Sequence, residues 1–159
     1  MKRTVIIAAL LLTSISLFAQ SGRSFYQKYS DEPGVTAVYI SPAMFRMIGS
    51  IPDITAGDSE VNLAPVISSL NGMYILSSEN QAVNSKLYKE VTRALSSGNY
   101  ELLMEAKDDG ETVRIYGTSS EDGSLLQDIA LLAGDALIFI RGTIRTDQVV
   151  SLIEQADRD

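Results

Sequence analysis

Residues 100–117 read YELLMEAKDDGETVRIYG, and this stretch has the clearest strand and turn signals of the chain. From Tyr100 to Lys107 the side chains alternate with a period of two, which is typical of a strand with two different faces. Asp109-Gly110 is a favoured hairpin turn, because both residue types tolerate a positive φ. The returning strand is predicted over Val113–Gly117. The stretch therefore predicts an antiparallel hairpin whose first strand turns these side chains toward the core: Tyr100, Leu102, Met104 and Ala106.

The clearest helix precedes this hairpin and runs from about Gln81 to Ser97. Its apolar side chains recur at helical spacing, and its charged side chains fall on the other side. Gly98 follows as a typical helix stop. We expect the helix to dock on the sheet through Val83, Leu87, Val91, Ala94 and Leu95, leaving Lys86, Lys89, Glu90 and Arg93 in water.

Shorter elements fill the chain before this helix. β-rich runs predict strands over Val35–Ile40 and Met73–Ser77. Helical spacing predicts three further pieces of helix. These are a helical turn over Phe25–Tyr29, a helix from Pro42 to Gly49 after the N-cap residue Ser41, and a helix over Leu63–Leu70. The last of them is expected to end at Asn71-Gly72.

Two more strands follow the hairpin, over Leu125–Ala133 and Ala136–Ile144. The last of these is apolar on both faces, which indicates a central strand covered on both sides or a contact between copies. Thr146 or Asp147 is the expected cap of a closing helix. Its apolar stripe consists of Val149, Leu152, Ile153 and Ala156.

This order of elements predicts an α+β fold. We expect a single domain with a mostly antiparallel sheet of about six strands and helices mainly on one face. The predicted boundaries are a signal peptide over residues 1–19, a flexible leader over residues 20–24 and the α+β domain over residues 25–159.

The first residues have the pattern of a secretory signal peptide. Lys2 and Arg3 precede the apolar run Val5–Leu12, and small residues follow at Ser16 and Ala19. The run is shorter than the roughly 20 residues that span a bilayer, so no transmembrane segment is expected after cleavage. Because the chain has no Cys for lipid attachment, we expect a periplasmic protein and not a lipoprotein.

Composition excludes several classes of function. The chain has 159 residues and contains neither Cys nor His, which removes Ser-His-Asp and Cys-His nucleophiles and the usual zinc, haem and iron–sulfur ligands. Its formal net charge is -7 at pH 7, and this acidic balance argues against nucleic acid as a partner. We expect no cofactor.

An acidic loop is the candidate metal site. Asp53, Asp58 and Glu60 lie in a Gly-containing segment, and oxygen ligands of this kind suit Ca²⁺. The alternating ligands and the terminal Glu of an EF-hand are missing, so the favoured interpretation is a solvated loop.

Six other residues are candidates for an interaction surface. Met44 and Met47 on a short helix offer flexible, polarizable side chains, although core packing is the favoured interpretation. Tyr39, Tyr74 and Tyr116 project from strands, either as anchors of a recognition face or as buried rings at the rim of the sheet. Arg141 lies in an apolar strand and therefore needs an acidic partner or an exposed edge.

A set of apolar and turn positions recurs through the chain after the signal peptide: Phe25-x-x-x-Tyr29, Ile40-Ser41-x-x-Met44-Phe45, the run Asn99–Met104, Asp109-Gly110, Val113-x-Ile115-Tyr116 and Gly142-x-Ile144. Together with the signal peptide, this set resembles the domain of unknown function 4252 family of exported Bacteroidetes proteins. The resemblance covers nearly the whole chain after the signal peptide. It implies a small envelope protein with no assigned catalytic residue, and gene neighbourhoods that hint at envelope signalling. Some members look like lipoproteins, and this chain departs from them in lacking the acylated Cys.

The leading hypothesis is an exported, non-catalytic binding or regulatory module of the bacterial envelope, linked to envelope signalling, with an envelope protein as partner. One alternative is a carboxylate- or metal-dependent envelope enzyme, which would show a deep pocket with convergent acidic side chains. A second alternative is a structural component that forms homo-oligomers through its apolar last strand.

Overall fold

Six antiparallel strands form one sheet in the computed structural model, which describes residues 22–49 and 64–148. The strands lie side by side in the order β1-β2-β6-β5-β4-β3, and the α+β prediction is confirmed. The central place of β6, between β2 and β5, explains why both of its faces are apolar. The bounds are Val35–Ile40 (β1), Leu70–Ser78 (β2), Glu101–Asp108 (β3), Glu111–Ser119 (β4), Leu125–Ala133 (β5) and Ala136–Arg145 (β6).

The helices begin at the caps that the sequence supplies. The side chain of Asn80 accepts hydrogen bonds from the backbone N–H groups of Ala82 and Val83 at the start of the long helix. The Ser41 hydroxyl accepts one from the Met44 N–H at 3.2 Å, as expected for an N-cap. The helices are α1 (Gly22–Tyr29), α2 (Pro42–Gly49), α3 (Ala64–Ile67) and α4 (Gln81–Ser97).

The main core lies between the sheet and the pair α1 and α4. Leu87, Val91 and Leu95 of α4 are fully buried, as predicted, whereas Val83 and Ala94 of the predicted stripe are half-buried. From α1, the Phe25 ring stacks on Phe139 of β6 with 5.7 Å between centroids. The sheet contributes Tyr74, Leu76, Tyr116, Ala130, Leu132, Leu137 and Phe139 to this core.

A smaller core lies on the opposite face of the sheet. Met73 and Ile140 belong to it, and each is a direct neighbour in its strand of a residue of the main core. Because successive side chains of a strand point to opposite faces, α2 and α3 must cover the other side of the sheet. They do so at one end, through Phe45, Val66 and Ile67.

The edge strand β3 does not follow the predicted alternation. Leu102 pairs with Tyr116 and Met104 with Ile115, so Leu103 is an extra residue that forms a bulge. Leu102, Leu103 and Met104 are all exposed. The prediction that Leu102 and Met104 share a buried face was wrong, because a bulge shifts the period of two and an edge strand has a neighbour on one side only.

Two element boundaries also differ from the predictions. Helix α1 begins at Gly22, so residues 22–24 belong to the fold and not to a flexible leader. Asn71-Gly72 does not end a helix: it lies inside β2, where Gly72 adopts a φ of 148° at a second bulge. Pairing with β6 overrides the local turn preference there, and the preceding helix is only Ala64–Ile67. The closing helix shows its first residues, 146–148, and its predicted apolar stripe lies outside the described residues.

Candidate interaction site

Tyr39 is the exposed member of a cluster of three tyrosines at the edge of the sheet. Its side chain is 46% exposed, and its ring stacks on that of Tyr74 with 4.9 Å between centroids. Tyr26 of α1 packs against both rings, at 6.2 Å from Tyr39 and 5.5 Å from Tyr74. These contacts hold the exposed ring on a rigid support. Tyr74 and Tyr116 themselves are buried core residues and do not form a recognition face.

Met44 and Met47 are exposed on α2, which directly follows the strand that bears Tyr39. Their exposed fractions are 44% and 59%, so the favoured prediction of core packing was wrong for both. They are three residues apart and therefore neighbours on the helix surface. Phe45 is buried and takes the core position of this helix. Tyr39, Met44 and Met47 are named the β1–α2 surface below.

Arg141 meets the expectation of an acidic partner at an exposed position. Its Nε atom lies 3.9 Å from the Asp128 Oδ1 atom, and both side chains are about half exposed. Asp128 has a positive φ of 45° next to a bulge in β5. Burial, and then the Asp128 carboxylate, raises the pKa of the nearby Tyr100 to about 12. Arg141 therefore belongs to a local ion pair on a central strand and not to the β1–α2 surface.

A groove between α1 and α4 was not foreseen from the sequence. Its volume is about 380 Å³, and Lys28 spans it to form an ion pair with Glu90, with 2.6 Å between Nζ and Oε2. This hydrogen bond from Lys28 holds the pKa of Glu90 below its usual value. Residues 28 and 90 are far apart in the chain, so no local pattern indicates the groove. Its lining consists of Ser24, Phe25, Lys28, Glu90, Arg93, Ala94 and Ser97.

Tyr29 lies next to this groove and is almost fully buried. Its burial, together with the neighbouring Glu90 carboxylate, raises the pKa of the Tyr29 phenol to about 12. Among the described residues, the hydroxyl has no hydrogen-bond partner of regular geometry. Its ring faces two cations, with the Nζ atoms of Lys28 and Lys86 at 5.3 and 5.7 Å from its centroid.

A second, smaller groove of about 230 Å³ lies on the other side of α4 and includes Lys89 and Tyr88. The Tyr88 hydroxyl accepts a hydrogen bond from Arg114 Nη1 at 2.6 Å. Arg114 in turn pairs with Glu105 at 2.7 Å. This network connects α4 to the far edge of the sheet and supports the wall of the groove.

The metal candidates Asp53, Asp58 and Glu60 lie outside the described residues. Within residues 22–49 and 64–148, no group of three acidic side chains is placed to hold a metal ion. Over the same ranges, no helix has the length and apolar content needed to cross a bilayer.

The topology and the two cores define the class: a single α+β domain with a six-stranded antiparallel sheet and its main helical layer on one face. Residues 29–152 match the family described as a domain of unknown function, DUF4252, and the chain belongs to this family. Searches among curated proteins and among solved structures give no match.

Proposed function

We propose that the protein is a non-catalytic binding or regulatory module of the bacterial envelope, exported to the periplasm, and that it contacts an envelope protein through the β1–α2 surface. One observation carries the proposal: large apolar side chains are exposed on a rigid support. Tyr39 is fixed by stacking on Tyr74, and Met44 and Met47 extend from a capped helix. Aromatic and Met side chains of this kind are enriched in protein interfaces.

Two features of the sequence support the proposal. The N-terminal pattern favours export, and the absence of Cys argues against a lipid anchor. The absence of His and Cys leaves few of the side chains that enzymes commonly use as nucleophiles or general bases. A role in envelope signalling is part of the proposal, in line with what the family resemblance implies.

Photo-crosslinking tests this function in living bacteria. A photoreactive phenylalanine analogue replaces Tyr39 or Met47, and the same analogue at Glu121, in an exposed turn remote in sequence from β1 and α2, is the matched control. We expect a discrete crosslinked species of higher mass from positions 39 and 47 and none from position 121. The absence of any species from both test positions, with the protein correctly exported and folded, would contradict the proposal.

Self-association is the second candidate, and we propose the edge strand β3 for it in place of the last strand. β6 pairs on both sides within the chain, so its backbone cannot pair with a second copy. The edge strand β3 exposes three consecutive apolar side chains, Leu102, Leu103 and Met104, and such an edge is a template for strand addition. Sedimentation of the wild type and of Met104→Lys distinguishes self-association through β3 from a monomeric protein. A monomer at high concentration in both would exclude this role.

A further inference from the structure

Charge is strongly segregated in this protein. Helices α1 and α4 carry five basic residues and one acidic residue, a net charge of +4. The rest of the chain then has eight basic and nineteen acidic residues, a net charge of -11, which adds up to the overall -7. The basic residues are Arg23, Lys28, Lys86, Lys89 and Arg93, and Glu90 is the acidic one. The outer layer of helices is therefore a basic surface on an acidic protein.

All five basic side chains of this layer are exposed. Lys28 forms the ion pair with Glu90, and in the described part of the chain the other four have no ion pair. Lys28 and Lys86 both face the Tyr29 ring. Two cations thus share one ring, and the carboxylates of Glu90 and Glu32 act on the same tyrosine. Within α1 and α4 the five basic residues outnumber the single acidic residue, which favours the binding of a further anion.

Two basic side chains in the groove between α1 and α4 suit a carboxylate ligand. Lys28 and Arg93 supply charged donors, whereas the Ser97 hydroxyl already donates to the Ala94 carbonyl oxygen at 3.2 Å. Hydrogen bonds between charged donors and carboxylates are the strong ones, and the planar guanidinium group of Arg can bind a carboxylate through two parallel bonds. Phe25 provides an apolar floor beside these groups.

We propose that α1 and α4 form a docking surface for an acidic polypeptide segment, whose carboxylates bind Lys28, Lys86 and Arg93. This inference adds the chemistry of a partner to the proposed binding function, at a surface distinct from Tyr39, Met44 and Met47. A membrane fits this surface poorly, because peripheral binding needs apolar anchors between the cations. The exposed large apolar side chains in the described residues lie on β1, α2 and β3.

Binding of an acidic peptide to the full chain tests the proposal. The probe is a fluorescein-labelled peptide of about ten glutamates, followed by anisotropy at about 20 mM and about 150 mM salt. A uniformly acidic protein repels this probe, whereas a basic layer binds it. We expect saturable binding at low salt that weakens as the salt concentration rises.

Three variants locate the binding surface. Arg93→Glu should weaken binding about tenfold or more, which corresponds to about 1.4 kcal/mol. Arg46→Glu on α2 makes the same change in charge at an exposed site outside the layer and should have little effect. Glu90→Gln frees Lys28 and removes the single acid of the layer, so it should strengthen binding. Melting curves establish that each variant is folded.

Several outcomes would overturn the proposal. These are no binding at low salt, equal losses for Arg93→Glu and Arg46→Glu, and tighter binding to phosphatidylglycerol vesicles or to polyphosphate than to the peptide. Failure here is separable from failure of the proposed function, because the crosslinks from positions 39 and 47 do not depend on this layer. Loss of those crosslinks with peptide binding intact would contradict only the β1–α2 surface.

Discussion

The backbone of Gly22 in α1 is in direct contact with the side chain of Phe139 in β6. A Cβ atom placed on Gly22 would overlap with the Cβ and Cγ atoms of Phe139. The Phe139 ring also stacks on Phe25, one turn further along the same helix. The first turn of α1 therefore packs so closely on β6 that only glycine fits at position 22.

Gly22→Ala should consequently destabilise the domain. The added methyl group must displace α1 from β6, because the Cβ of Phe139 moves only with its backbone, and overpacking of this kind costs about 1–3 kcal/mol. Thermal unfolding followed by circular dichroism measures the effect. Arg23→Ala, at the next and exposed position, is the control and should leave the midpoint nearly unchanged. Equal midpoints for Gly22→Ala and the wild type would show that α1 is not held at this point.

Gly110→Ala isolates the conformational cost of the β3–β4 turn. Asp109 and Gly110 both have a positive φ, at 45° and 87°, and a Cβ on Gly110 would contact nothing within 4 Å. The loss of stability should therefore come from the backbone alone, at about 1–2 kcal/mol. Denaturant unfolding measures it. Asp109→Asn, which also tolerates this conformation, should be close to neutral, and a neutral Gly110→Ala would contradict the assigned turn.

Leu87→Ala tests how far α4 supports the core. Leu87 has no exposed surface, so its truncation should cost about 2–5 kcal/mol. Ser85→Ala, at an exposed position of the same helix, should change stability little.

Val91→Asp buries a charge at a fully buried site and should prevent cooperative folding. A cooperative melt of Val91→Asp at the wild-type temperature would refute the docking of this helix.

Asp122 makes the stability of the β4–β5 turn depend on acid pH. The hydroxyls of Ser120 and Ser124 donate to its Oδ1 atom at 2.6 and 2.8 Å, and the Ser124 N–H donates at 3.0 Å. These donors, with Ser120 first, lower the pKa of Asp122 from 3.8 to about 2. Because the folded state favours the carboxylate, its contribution is complete above the ordinary pKa and disappears as the pH falls toward 2.

Asp122→Asn reveals this contribution. The variant should be less stable than the wild type near neutral pH, and the difference should shrink between pH 4 and pH 2. Melting temperatures of both proteins across this range give the comparison. A difference that stays constant with pH would mean that the carboxylate charge contributes nothing to the turn.

The helix α4 and the β3–β4 hairpin could be predicted because their signals are local. The spacing of Leu87, Val91 and Leu95 indicates one buried face, and Asp109-Gly110 indicates one type of turn. The exposure of Met44 and Met47 could not be predicted, since it depends on how much of α2 the sheet can cover. The bulge at Leu103 also has no local signal, because it arises from pairing with β4.

The candidate site was predictable only in part. The sequence leaves both a surface and a buried position open for Tyr39, Tyr74 and Tyr116, and in the structure Tyr39 is exposed whereas Tyr74 and Tyr116 are buried. What separates them is the position of each strand in the sheet, which the order of elements does not determine. The pair Lys28 and Glu90 joins residues 62 positions apart, so the basic layer emerges only when α1 and α4 are packed side by side.

The pairing of β2 with β6 determines when the domain can finish folding. Tyr74 lies opposite Phe139, whereas β3, β4, β5 and β6 each pair with their neighbour in the chain. Contacts between distant parts of a chain form slowly, because a long loop must close first. The pairings from β3 to β6 are all between neighbours in the chain, whereas the pair β1 and β2 joins the sheet only through β6. Truncation before Ala136 should therefore leave the N-terminal strands without a template, and a nascent chain of that length should remain sensitive to protease.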